Sequence, residues 1–140
     1  MKKIFFLVVI LTLSLLCRAQ ERKYSTFYYQ RATLFEELPV TSSDIIFLGN
    51  SITNGAEWAE LFKNKHVKNR GISGDTSDRL LERLECNALN ISPKNLVILI
   101  GTNDIGIGVP TEYTLKNIKE ILQRTQTLCS NTAVKSSIRA

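Results

Sequence analysis

A serine, a glycine and an asparagine, at positions 51, 74 and 103, each sit in a short polar loop just after an apolar or predicted strand segment. The loops read Gly49-Asn50-Ser51-Ile52-Thr53, Gly71-Ile72-Ser73-Gly74-Asp75-Thr76-Ser77 and Gly101-Thr102-Asn103-Asp104. A serine hydroxyl attacks acyl groups once a base removes its proton. The attack puts negative charge on the carbonyl oxygen, and that charge needs donors already aimed at it. Ser51 offers a hydroxyl and a backbone N–H, and Asn103 a side-chain NH₂. Gly74 offers an N–H that a ligand approaches with no Cβ in the way. Together these make a nucleophile and a three-donor oxyanion hole, in which losing one donor typically costs about 3 kcal/mol of transition-state stabilisation. Gly49 and Gly101 are read as turn residues, Asp75 as the cap of the following helix, and Asp104 as a brace for its own loop.

For these groups to meet, the segments before them must be neighbouring parallel strands. Asp44–Leu48 and Asn95–Ile100 are continuous apolar runs, read as strands buried on both faces; a weaker strand falls near His66–Asn69. Helical spacing appears over Thr26–Leu38 (Phe27, Tyr28, the Arg31 stem, Leu34, Phe35, Leu38), with Ser25 or Thr26 as cap and Pro39 as stop. A short helix is expected around Glu57–Phe62, and another from about Thr76 to Ala88 with Leu80, Leu81, Leu84 and Ala88 inward. A last helix runs from Thr111, as cap, to about Leu128, with Leu115, Ile118, Ile121 and Leu122 inward. Ala133–Ile138 stands where a fourth strand is due and is short and polar. Strands alternating with helices imply right-handed crossovers and a parallel sheet. With the first three strands ordered 2-1-3, the loops open on the crevice at the strand carboxyl ends.

The three loops resemble, in order, the blocks of the SGNH/GDSL hydrolases. Gly49-Asn50-Ser51-Ile52-Thr53 matches the first block, where Gly-Asp-Ser is commonest; Ile72–Ser77 matches the second; Gly101-Thr102-Asn103-Asp104 matches the Gly-x-Asn-Asp block. The similarity runs from about Asp44 to Leu128. It implies a flavodoxin-like three-layer α/β/α fold and metal-free hydrolysis of esters or thioesters. By the same resemblance Ser51 is nucleophile and oxyanion donor, and Gly74 and Asn103 are the other donors. The family's late Asp-x-x-His segment, which supplies the base and its orienting acid, has no counterpart here. The single histidine, His66, precedes the second strand and falls at the amino edge of the sheet. The expectation is an ester hydrolase domain truncated after about the fourth strand and impaired for lack of a catalytic Asp/His. Its substrate is expected to be a small ester, O-acetylated carbohydrate first and lipid esters next. The alternative is a non-catalytic binding pseudoenzyme or a non-functional truncated product.

Lys2-Lys3, the apolar run Ile4–Leu16 and small residues near Ala19 have the anatomy of a secretory signal peptide. Residues 1–19 are therefore read as signal, and 20–140 as the hydrolase-like domain, exported to the periplasm or the medium. The competing reading is a lipid anchor on Cys17, which would hold the protein at a membrane; Leu16 stands where lipoprotein signals carry a small residue. Removing residues 1–19 takes away Lys2, Lys3 and Arg18 and no acid, so the formal charge falls from +5 to +2. The high charge is thus largely the signal's and gives no support for nucleic-acid binding, which wants a clustered basic face; Lys63, Lys65, Lys68 and Arg70 are read as a solvated loop. Nothing requires a cofactor: no Gly-Lys-Ser/Thr follows the first strand, and Gly106 and Gly108 lack the third glycine of a dinucleotide fingerprint. One histidine with Cys86 and Cys129 makes no metal site. A Cys86–Cys129 disulfide is open, with two small apolar side chains at helix ends the favoured reading; the oligomeric state is also open.

A short polar fourth strand leaves apolar surface beside it, so the 140-residue product is expected to melt broadly and aggregate on heating. A sharp, reversible calorimetric transition contradicts this.

Overall fold

The computed structural model describes residues 23–90, 92–128 and 132–136. The signal-peptide segment 1–19, Cys17, Cys129 and Ile138 lie outside the described residues. Helix α1 (Thr26–Glu37) starts where the Ser25 side chain accepts the Tyr28 N–H, and ends as Leu38 turns extended ahead of Pro39. There follow β1 (Ile45–Gly49), the short helices α2 (Ser51–Asn54) and α3 (Trp58–Leu61), β2 (Val67–Gly71) and α4 (Ser77–Leu84). A π-helical turn over Glu85–Leu89 extends α4, and then come β3 (Asn95–Ile100), α5 (Thr102–Gly106), α6 (Thr111–Leu128) and β4 (Thr132–Ser136). Thr111 is the first helical residue rather than a cap; the Pro110 carbonyl accepts the Tyr113 and Thr114 N–H groups.

The four strands form one parallel sheet in the order β2-β1-β3-β4. The chain steps from β1 out to β2, then reverses across β1 to β3 and β4. Right-handed crossovers must therefore place α2–α3 on one face of the sheet and α4 and α6 on the other. The packing agrees. Ile46, Leu48, Leu96, Ile98 and Ile100 are fully buried in one cluster with Leu80 and Leu84 of α4 and Ile118 and Ile121 of α6. On the opposite face Phe47 stacks on Trp58 at 4.7 Å, with Phe62 at 5.7 Å.

That second face departs from expectation. Ile45, Phe47, Val97 and Leu99 are only half-buried, because among the described residues the covering layer is the short α2–α3 segment. Burial on both faces, read from the apolar runs, holds fully on the α4–α6 side alone. Leu115, expected to face inward, is exposed, as are Phe27 and Leu34 of α1 and Leu38 just past its end; Tyr28 and Phe35 carry that helix's burial. Cys86 sits at a helix end as read, but in the π-helical turn it is exposed rather than packed as an apolar residue. Arg70, read as part of a solvated loop, is buried in β2 with its guanidinium 5.0 Å from the Phe35 ring.

His66 lies at the amino edge of the sheet, beside the start of β1. Its carbonyl accepts the Ile45 N–H, and its Nδ1 is 2.9 Å from Asp44 Oδ1. Burial pushes the Asp44 carboxyl up, but the Thr41 N–H, His66 and nearby Lys68 outweigh it and hold Asp44 below the usual carboxylate range. Folding thus keeps Asp44 ionised at a pH where the unfolded chain protonates it. The stabilisation is complete above an ordinary carboxylate pKa of about 4 and is lost as pH falls through the lower folded value. Asp44→Asn should lower stability at neutral pH and flatten its fall below about pH 4, measured as urea midpoints across pH. An unchanged acid limb contradicts this.

Candidate active site

The strands end level with one another. Gly49 of β1 pairs with Gly71 of β2 and with Leu99 of β3, so the loops carrying Ser51, Gly74 and Asn103 leave the sheet from one end and at one height. Gly49 is required by close approach rather than by a turn: a Cβ there would lie 2.4 Å from the Leu99 carbonyl oxygen and 2.5 Å from Thr53 Oγ1. A Cβ on Gly71 would lie 2.3 Å from the Asn54 nitrogen. Two bare strand ends let α2 settle directly on the sheet, and Ser51 is its first residue. Asn50 caps α2 by accepting the Ile52 N–H at 3.1 Å. Ser51 is exposed, and its hydroxyl has no hydrogen-bond partner among the described residues.

The loops are tied to one another. Asn54 Nδ2 donates to Ser73 Oγ at 3.2 Å, joining the first loop to the second. Asn103 Nδ2 donates to the Asp75 carbonyl at 2.8 Å, joining the third to the second. That bond uses one amide hydrogen of Asn103 and orients the other. Gly74 adopts φ +82°, the left-handed region, with nothing within 4 Å of where a Cβ would stand. Gly74 is exposed.

Two carboxylates take roles other than those expected. Asp75 does not cap α4: Thr76 occupies that position without a side-chain cap bond, and Asp75 is fully buried against Arg83. Burial pushes the Asp75 carboxyl up to about 6 against the pull of Arg83, and its Oδ1 has no hydrogen-bond partner. Its ionisation thus opposes folding: the contribution is most favourable below about pH 4 and is lost as pH rises through the folded value. Asp104 braces a neighbouring loop instead of its own. Its two oxygens accept the Ser77 N–H at 3.1 and 3.0 Å, and Oδ1 accepts the Ser77 hydroxyl at 2.5 Å. Asn117 Nδ2 of α6 adds a bond to Ser77 Oγ at 3.0 Å. The cap that α4 needs comes from the third loop.

Arg83 had no role in the sequence reading, although the signal was legible: an arginine lies between Leu80 and Leu84 on an inward stripe, eight residues after an aspartate. The Asp104–Ser77 link spans 27 residues and has no local signature. His66 is at the far edge of the sheet, so the chain's one histidine does not serve Ser51. Among the described residues no three His, Cys, Asp or Glu side chains are grouped to hold a metal, and no helix is long and apolar enough to cross a membrane.

Residues 47–136 match the model of the GDSL-like lipase/acylhydrolase family. The human platelet-activating factor acetylhydrolase IB subunit alpha2 is 41% identical over 66 residues, which are 44% of this chain and 29% of that protein. A GDSL-like lipase from Bacteroides thetaiotaomicron superposes with a TM-score of 0.60 at 30% identity, covering 78% of this chain and 55% of that one. An acetylxylan esterase from Geobacillus stearothermophilus, 19% identical with a TM-score of 0.56, shares the fold; 68% of this chain covers 59% of it. The chain thus spans under a third of the curated relative's length and 55–59% of these two solved chains.

Asp104→Ala leaves the buried Ser77 N–H without its acceptor and should cost about 3 kcal/mol of unfolding free energy. Gly74→Ala, with room for the methyl but an unfavourable φ, should cost only about 1–2 kcal/mol. Urea titrations of both variants check the order, and a larger loss in Gly74→Ala contradicts it.

Proposed function

The chain belongs to the GDSL-like lipase/acylhydrolase family, and from that premise we propose that Ser51 is the nucleophile of an ester-hydrolysing site. In this reading Ser51 Oγ attacks the carbonyl carbon of an ester. The negative oxygen that forms is held by the Ser51 N–H, the Gly74 N–H and Asn103 Nδ2. Collapse passes the Ser51 proton to the departing alkoxide, expels it as the alcohol and leaves an acyl-serine, which water then cleaves to the free acid and Ser51. One observation carries the reading: three loops bearing these groups leave level strand ends and are cross-bonded through Asn54–Ser73 and Asn103–Asp75.

The substrate class proposed is an acetyl ester, on carbohydrate first and on lipid next. In support, similar proteins include an acetylxylan esterase and a platelet-activating factor acetylhydrolase subunit. Export to the periplasm or the medium, proposed from the apolar segment Ile4–Leu16, is compatible with either source.

A second reading, a non-catalytic ester- or carbohydrate-binding protein, draws support from His66, which is bonded to Asp44 at the opposite edge. Without an imidazole to take the Ser51 proton, donors and binding alone leave roughly 10³-fold catalysis over water.

A fluorophosphonate probe separates the readings. Hydrolase chemistry predicts labelling at Ser51, abolished in Ser51→Ala and slowed roughly 10²- to 10³-fold in Asn103→Ala. No labelling of the folded parent chain, with retained binding of an acetylated sugar, favours the second reading.

A further inference from the structure

The groups at the strand tips are anchored by a side chain with no place in the proposed chemistry. Arg83 lies on the inward stripe of α4 and is 4% exposed, so its guanidinium has left water almost completely. Its Nε and Nη2 donate to Asp75 Oδ2 at 2.9 and 2.6 Å. Nη1 donates to the Arg70 carbonyl at 3.0 Å, and Nη2 also to the Gly49 carbonyl at 3.2 Å. These acceptors come from the end of β1, the end of β2 and the loop after β2.

Two of the three acceptor residues, Gly49 and Asp75, adjoin groups proposed to hold the oxyanion. Gly49 stands two residues before Ser51, on the backbone that leads into α2. Asp75 follows Gly74 directly, and its carbonyl receives the Asn103 amide. Gly49 also accepts the Ile72 N–H at 2.9 Å, so one carbonyl is shared by the β1–β2 ladder and by Arg83.

We infer that Arg83 is the positioning residue of this site: by bonding Gly49, Arg70 and Asp75 at once, it fixes where Ser51, Gly74 and Asn103 stand relative to one another. The inference rests on the reading of those three residues as the oxyanion hole. A buried ion pair is a weak device for stability, since an apolar pair of like volume often does as well. A planar guanidinium that meets several acceptors in a fixed fork is a strong device for geometry. A lysine keeps the charge beside Asp75, but its single ammonium lacks that fork. A misplacement of about 1 Å among reacting groups costs roughly 10²-fold in rate.

The 140-residue chain is compared with Arg83→Lys and Arg83→Met by two readouts. One is the rate of fluorophosphonate labelling at Ser51. The other is hydrogen exchange at the Ile72 and Asp75 amides, which bond the Gly49 and Ile72 carbonyls at 2.9 and 3.2 Å. In Arg83→Lys the fold should persist while labelling slows roughly tenfold or more and both amides exchange roughly tenfold faster, with β3 ladder amides unchanged. Arg83→Met should show the same or larger effects; if it fails to fold, Arg83→Lys decides. Should the parent chain not label, the esterase reading fails, and the exchange pattern alone decides the positioning role. Exchange at its parental value in folded Arg83→Lys overturns the inference, and so does labelling at its parental rate where the parent chain labels. So does acceleration of exchange spread evenly over the sheet, or collapse of Arg83→Lys altogether.

Discussion

An ion pair that has left water holds the carboxyl end of this sheet together. Asp75 and Arg83 are 0% and 4% exposed, and taking such charges out of water costs several kcal/mol each. The cost is tolerable because the guanidinium finds acceptors on two strand ends and a loop, not on the carboxylate alone. An apolar plug would fill the space without specifying how β1 sits against β2. The exchange is register for solvation. Asp104 works in the same way one loop over, where a single carboxylate satisfies the helix start at Ser77 and ties it to the segment after β3.

Much of this arrangement was readable because it is local or follows from topology. Ser25 and Pro39 bound α1, and the 3.6-residue spacing of Ile118, Ile121 and Leu122 marked α6, because a helix reports its own ends and its own stripe. The convergence of the Ser51, Gly74 and Asn103 loops followed from strand order alone: in a parallel sheet that reverses direction, the loops at the reversal share an end. The side-chain partners were not readable. Asp75 looked like a cap because aspartate before Thr-Ser commonly is one, and only packing shows that Arg83 draws it inward. Thr111 and Leu115 were misplaced because one turn at the start of α6 depends on Pro110 and on what lies beside it.

The two faces of the sheet show how an apolar run can mislead. Ile45-Ile46-Phe47-Leu48 contains no alternation, yet alternate residues meet different surroundings. Ile46 and Leu48 lie under α4 and α6, whereas Phe47 meets the rings of Trp58 and Phe62 across a layer of only a few residues. Composition reports that both faces are apolar. It does not report how thickly each is covered.

Because Ser51, Gly74 and Asn103 all depend on the carboxyl ends of the strands, the amino end is left with connections of another kind. The stretch between the π-helical turn and β3 passes through Ser92, exposed at φ +43°, and is held by the Lys94 N–H on the Asp44 carbonyl. Exposed junctions on the far side from the chemistry are where polypeptides accept nicks, insertions and new termini. A nick or an insertion at Ser92 would therefore fall on the side of the sheet away from Ser51, Gly74 and Asn103.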